Sequence, residues 1–112
     1  MDNITIGNKL WLEKNGQFFL GKGRVELLKA IVICGSISAA AKSMKMSYKK
    51  AWAAVDDMNS ISDSPLVIRT TGGRGGGGTS ITEAGKEAIE LYEHFESNAS
   101  AFLDDELKIV QQ

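Results

Sequence analysis

Between Gly35 and Asn59 the chain carries the pattern of two short helices separated by a turn: Gly35-Ser-Ile-Ser-Ala-Ala-Ala-Lys-Ser-Met-Lys-Met-Ser-Tyr-Lys-Lys-Ala-Trp-Ala-Ala-Val-Asp-Asp-Met-Asn59. Ser36 or Ser38 can cap the first helix, Ala39 to Ala41 propagate it at little entropic cost, and Met44 and Met46 close its apolar face. Ser47 restarts a helix on which Ala51, Val55 and Met58 share one face, placed to pack on Ala40, Ala41 and Met44. Lys45 falls in the turn, where glycine is commoner because left-handed backbone costs it nothing.

What remains on the outward face of the second helix, near its start, is Tyr48, Lys49, Lys50, Trp52 and Ala53. A second helix that presents its N-terminal residues and flanking cations is the arrangement that enters the major groove of DNA, whereas an ordinary helical hairpin would leave these charges solvated. Lys49 and Lys50 suit phosphate or guanine contact, and Ser36, Ser38 and Ser47 are expected beside them as DNA-binding residues. Tyr48 and Trp52 lie four apart on one stripe, and Trp52 fits two roles equally, contact with nucleic acid or a wedge between helices.

The next segment is β-rich. Leu66-Val-Ile-Arg-Thr-Thr71 reads as a strand, Gly72-Gly-Arg-Gly-Gly-Gly-Gly78 as a loop and Thr79-Ser-Ile81 as a return strand, together a hairpin wing over about residues 66–81. Arg69 and Arg74 would then reach phosphate or the minor groove. The glycine run matches two nucleotide-site spacings without their context. Thr79-Ser80 stand where a P-loop needs Lys-Ser or Lys-Thr, and too little chain follows for a βαβ unit. A flexible linker between two lobes is the remaining alternative for this run.

A net charge of −1 conceals a strong asymmetry. From Gly21 to Arg74 nine cations face four anions, whereas from Glu83 onward two cations face eight anions. That division suits a basic reading face with an acidic tail turned away from phosphate. The tail reads as a long helix over about residues 83–104, capped by Thr82. Ala88, Tyr92, Phe95, Ala99 and Phe102 recur along it in a heptad-like seam, part of which core packing within the chain would explain and which is also expected to form a homodimer interface.

At the other end, Lys9 to Lys14 alternates polar and apolar residues, Asn15-Gly16 signals a type I′ turn, and Gln17 to Leu20 returns as the partner strand. Trp11, Phe18 and Phe19 are expected to supply aromatic core. A helix from Arg24 to Cys34 follows, with Val25, Leu28, Ile31 and Val32 as its buried stripe and Gly35 as its stop.

At 112 residues and 43% apolar content the chain suits one winged helix-turn-helix domain over residues 1–112, mainly α with small β hairpins. Cys34 is expected to be a small buried hydrophobe, and a single Cys with a single His, His94, supplies neither a metal quartet nor a nucleophile and base. No enzyme activity, cofactor or metal is therefore expected. No apolar run reaches membrane-spanning length and the start lacks a signal-peptide pattern, so a cytoplasmic protein is expected.

The residues carry a family resemblance over roughly positions 8 to 100. Phe-Leu-Gly-Lys-Gly-Arg-Val-Glu-Leu-Leu28, Gly35 to Lys42, Met46-Ser-Tyr-Lys-Lys-Ala-Trp52, the wing from Arg69 to Gly78, and Ile81-Thr-Glu-Ala-Gly85 (Ile-Thr in place of Leu-Thr) resemble the DNA-binding domain of ModE-type molybdate-responsive transcriptional regulators, relatives of the LysR-type winged helix. The resemblance implies a homodimeric bacterial regulator of double-stranded DNA, with Ser47, Tyr48, Lys49, Lys50 and Trp52 on the recognition helix and Arg74 on the wing. Members of that family continue into a molybdate-binding module; this sequence stops at Gln112, so molybdate sensing is not carried over, and a separate effector-sensing protein is a possible partner. A protein-interaction adaptor on the same fold is the alternative function.

Overall fold

Hydrogen bonds from short polar side chains set where the elements begin. In the computed structural model, which describes residues 2–70 and 78–111, Ser36 accepts from Ala39 N, Ser47 from Lys50 N and Thr82 from Gly85 N, each capping the helix that follows. The order is β1 (Leu12–Lys14), β2 (Gln17–Leu20), α1 (Lys22–Cys34), α2 (Ile37–Ser43), α3 (Tyr48–Ile61), β3 (Val67–Thr70), β4 (Gly78–Ile81) and α4 (Glu83–Val110). The fold is a winged helix-turn-helix with two antiparallel hairpins, β1-β2 and β3-β4, and a long C-terminal helix. Arg74 and the glycines around it lie outside the described residues.

The turn between α2 and α3 is a Schellman closure. Lys45 takes the left-handed conformation at φ 55°, its N–H reaches Lys42 O, and Met46 N–H reaches Ala41 O. Lys45 does here what glycine does more cheaply, and the hydrogen bonds together with half-buried Met46 hold it there. The Asn15-Gly16 turn has φ of 53° and 77°, both positive as type I′ requires.

One apolar cluster joins Leu20, Leu28 and Ile31 to Ala40 and Ala41 of α2, Ala51, Val55 and Met58 of α3, Leu66 and Val67 of the wing, and Ala88 and Tyr92 of α4. Four expectations are corrected. On α1, Leu27 is buried and Val32 is 57% exposed, so the covered stripe runs through Leu27 and Ile31 and leaves Val32 out. Cys34, at the end of the same helix, is exposed. Trp11 and Phe18 are about half exposed: Phe18 pairs with Glu13 in the register that the two-residue turn sets, and the shift between Leu12 and Glu13, beyond that pair, makes Phe19 the extra residue, so that of the three only Phe19 packs against the core. Beside them, Arg24 pairs with Asp57 and donates to the Phe18 and Phe19 carbonyls.

The fourth correction concerns α4, which continues to Val110 rather than ending near residue 104. Its apolar arc is roughly 160° wide at about 100° per residue, and two different partners divide it. Ala88 and Tyr92, expected in a dimer seam, are buried in the chain's own core, and the Tyr92 hydroxyl donates to Leu10 O. Burial, and after it the adjacent Glu96 carboxylate, push the Tyr92 phenol above its usual pKa. The N-terminal arm follows the same side of the helix, with Asp2, Asn3 and Ile4 sharing a recess with Leu107 and Val110, and Ala99, Leu103 and Leu107 are half-buried there. On the neighbouring strip Leu91, Phe95, Phe102 and Ile109 remain exposed.

The wing is fastened to three helices. Thr79 N–H donates to Gly35 O at the end of α1, and Thr82 Oγ1 donates to Pro65 O at 2.7 Å. From α3, Asn59 Oδ1 accepts from Leu66 N and Val67 N while its Nδ2 donates to Val67 O. Asn59→Ala strands all three partly buried backbone groups and should cost about 2–3 kcal/mol. Urea unfolding checks this: the midpoint should fall at an unchanged slope, and an unshifted midpoint would contradict the anchoring role.

Candidate nucleic-acid interface

Helix α3 turns its buried face, Ala51, Val55 and Met58, toward α2 and the core, which fixes what its first turns present outward. Tyr48, Lys49, Lys50 and Ala53 are exposed there, and Trp52 is half-buried against the core. Among the described residues neither Lys49 nor Lys50 makes an ion pair. Asp57, farther along the same exposed side, is neutralised by Arg24, which confines unpaired positive charge to the start of the helix.

Beside this helix start lies an open cleft of 380 Å³, lined by Ser36, Ile37 and Ser38 of the α2 entry, Tyr48 of α3, and Arg69, Thr70, Gly78 and Thr79 of the wing. The structure therefore brings Ser36, Ser38, Tyr48 and Arg69 of the expected residues to one place, while Ser47, Lys49 and Lys50 adjoin Tyr48 in the chain at the same helix start and do not line the cleft. The Oγ atoms of Ser36 and Ser47 are spent as acceptors in capping, leaving each hydroxyl its proton to donate. Thr70 and Thr79 were not among the expected residues. Their signal was present in the hydroxyls on either side of the glycine run. Arg74 lies outside the described residues.

Arg69 is the most tightly engaged of these side chains. Its guanidinium carbon sits 4.1 Å from the Trp52 ring centroid, and its Nη2 donates to the Tyr48 hydroxyl at 3.0 Å. Of the two roles left open for it, Trp52 takes the wedge, packing on the core with one part, and with another it carries the Arg69 cation on its ring. The whole surface offers hydroxyl donors, two unpaired ammonium groups and a helix N-terminal face, the inventory that binds a phosphate backbone and reaches base edges.

Comparison with known proteins finds relatives among bacterial regulators. The chain is 46% identical over 91 residues to the transcriptional regulator ModE of Haemophilus influenzae, covering 79% of this chain and 36% of that protein. It is 45% identical over 84 residues to the DNA-binding transcriptional dual regulator ModE of Escherichia coli K12, covering 75% and 32%. To the molybdenum-pterin-binding protein MopB of Rhodobacter capsulatus it is 42% identical over 92 residues, covering 82% and 34%. The matched region spans about a third of the length of these curated relatives. The family described as bacterial regulatory helix-turn-helix protein, lysR family, matches residues 23–86, from the start of α1 through the wing into α4. With more than half its length inside that match, the chain belongs to the lysR family of bacterial helix-turn-helix regulatory proteins.

Proposed function

We propose that residues 1–112 form one winged helix-turn-helix domain that binds double-stranded DNA sequence-specifically, as a homodimer, to regulate transcription. The observation that carries this reading is the pair of unpaired lysines at the start of α3 beside a hydroxyl-lined cleft shared with the wing. In this arrangement α3 enters the major groove, Lys49, Lys50 and Tyr48 meet bases and phosphates, and Ser36, Ser38, Thr70 and Thr79 donate to the flanking backbone. The names of the relatives support a regulatory rather than an enzymatic role, and a regulator of this kind works where the chromosome is, in the cytoplasm. No helix of the described residues is long and apolar enough to cross a membrane. Arms, wing and helices take up the described residues, so molybdenum sensing is not proposed for them.

Fluorescence anisotropy with labelled duplex from the source genome, titrated at several salt concentrations against non-specific competitor, tests the reading. Tight, salt-dependent binding that survives competitor supports it. Absence of salt-sensitive binding would replace it with an adaptor that binds protein through the same fold.

The exposed strip of α4 supports the dimer. Phe95, Phe102 and Ile109 recur every seven residues with Leu91 one turn earlier, the spacing that pairs two helices. Phe102→Asp removes two symmetry-related contacts at once and should weaken self-association about 100-fold in equilibrium sedimentation. Tyr92→Phe, on the covered side, should leave it unchanged. A Phe102→Asp protein that stays dimeric would discredit this interface.

A further inference from the structure

Resting on the DNA-binding reading above, we infer that Arg69 is a positioning residue: it clamps the wing to the recognition helix through Trp52 and Tyr48 and does not serve as a phosphate ligand. Tyr48 and Trp52 lie one turn apart on α3 and form a shelf, and Arg69 on β3 lies across it, stacked on the indole and hydrogen-bonded to the phenol oxygen. The shelf is fixed, because Trp52 packs against the buried core. At the opposite end of α3, Asn59 already holds the backbone of Leu66 and Val67. Strand β3 is therefore fastened to α3 at two separated points, and two points set an angle where one would leave a pivot.

That angle is what a winged reader needs, since α3 and the wing must meet neighbouring features of one duplex together. Phosphate charge is available from other side chains: among the described residues Lys42, Lys45, Lys49 and Lys50 are exposed and without ion pairs. The chemistry of the clamp also demands arginine. A planar guanidinium can stack on indole and donate from its edge at the same time, whereas a lysine ammonium is a point charge that reproduces neither geometry.

The test uses a Trp11→Phe background, in which Trp52 is the remaining tryptophan, and compares Arg69→Lys with Arg69→Gln. Arg69 is exposed, and circular dichroism will verify that both variants keep the parent's helix content. In the free protein, Trp52 emission should change in both variants. Against a duplex selected by the parent protein from a random-sequence library, both should lose about tenfold in affinity. Their salt slope should stay at the parent value and their binding to poly(dI-dC) should be little altered, because no phosphate contact is lost. Parent-like binding by Arg69→Lys, with a slope lowered by about one in Arg69→Gln, would make Arg69 a phosphate ligand and overturn the inference. Unchanged Trp52 emission in both variants would overturn it as well. If the parent selects no duplex, the DNA-binding reading fails by itself, and the emission measurement still decides the clamp.

Discussion

Gly85→Ala should lower stability by about 3 kcal/mol, which for a chain of this size is a drop of roughly 15 °C in melting temperature. A methyl at this buried position would lie closer than 3.0 Å to both Leu66 O and Ile81 Cγ2, nearer than real Cβ contacts come. Neither can retreat cheaply. The Leu66 carbonyl is held by Thr82 N at 3.0 Å and approached by Thr82 Oγ1 at 3.2 Å, and Ile81 belongs to the wing strand packed on the core. Gly23→Ala is the matched control, because a methyl there meets nothing within 4 Å and helix propensity alone favours it. Thermal unfolding followed by circular dichroism should separate the two sharply. A Gly85→Ala protein melting within a few degrees of its parent would show that wing and helix can part at this point.

The double substitution Lys49→Ala, Lys50→Ala should weaken duplex binding about 100-fold near 0.1 M salt and reduce the salt slope by about two, with stability essentially unchanged. Both ammonium groups are exposed and unpaired among the described residues, so their removal leaves no buried partner stranded. The loss would be in binding alone. Anisotropy titrations across a salt series supply both numbers from one data set. An unchanged slope would move these lysines off the interface and shift attention to Lys42 and Lys45 on the adjacent turn.

Which features were legible in the sequence follows from how local their causes are. The caps at Ser47 and Thr82, the Asn15-Gly16 turn and the packing of Ala51, Val55 and Met58 on α2 each depend on residues a few positions apart, and each was readable. The misread positions share a different cause. Phe18 was misread because neighbouring residues of a strand face opposite sides, so Phe18 and Phe19 do not both point inward, and composition does not tell which of the two does. Val32 and Cys34 were misread because Ile31, Val32, Ile33 and Cys34 make the last turn of α1 apolar all round, and periodicity then does not tell which of them is covered. On α4 the seam from Ala88 to Phe102 was real as an apolar arc. Its division between the core, the N-terminal arm and an open strip depends on an arm some 90 residues away, which no local window contains. The Arg69 stack was hidden for the same reason, since it pairs residues 17 apart across a turn and a strand.

Leu66 has a consequence out of proportion to its size. Its carbonyl accepts from the cap of α4 and its amide donates to Asn59 of α3, so a single residue stands between the long helix and the helix that would read DNA. A link that short has almost no slack. Any load carried between α4 and α3 at this joint passes through one residue and two hydrogen bonds, which makes Leu66 the narrowest bridge between the two helices.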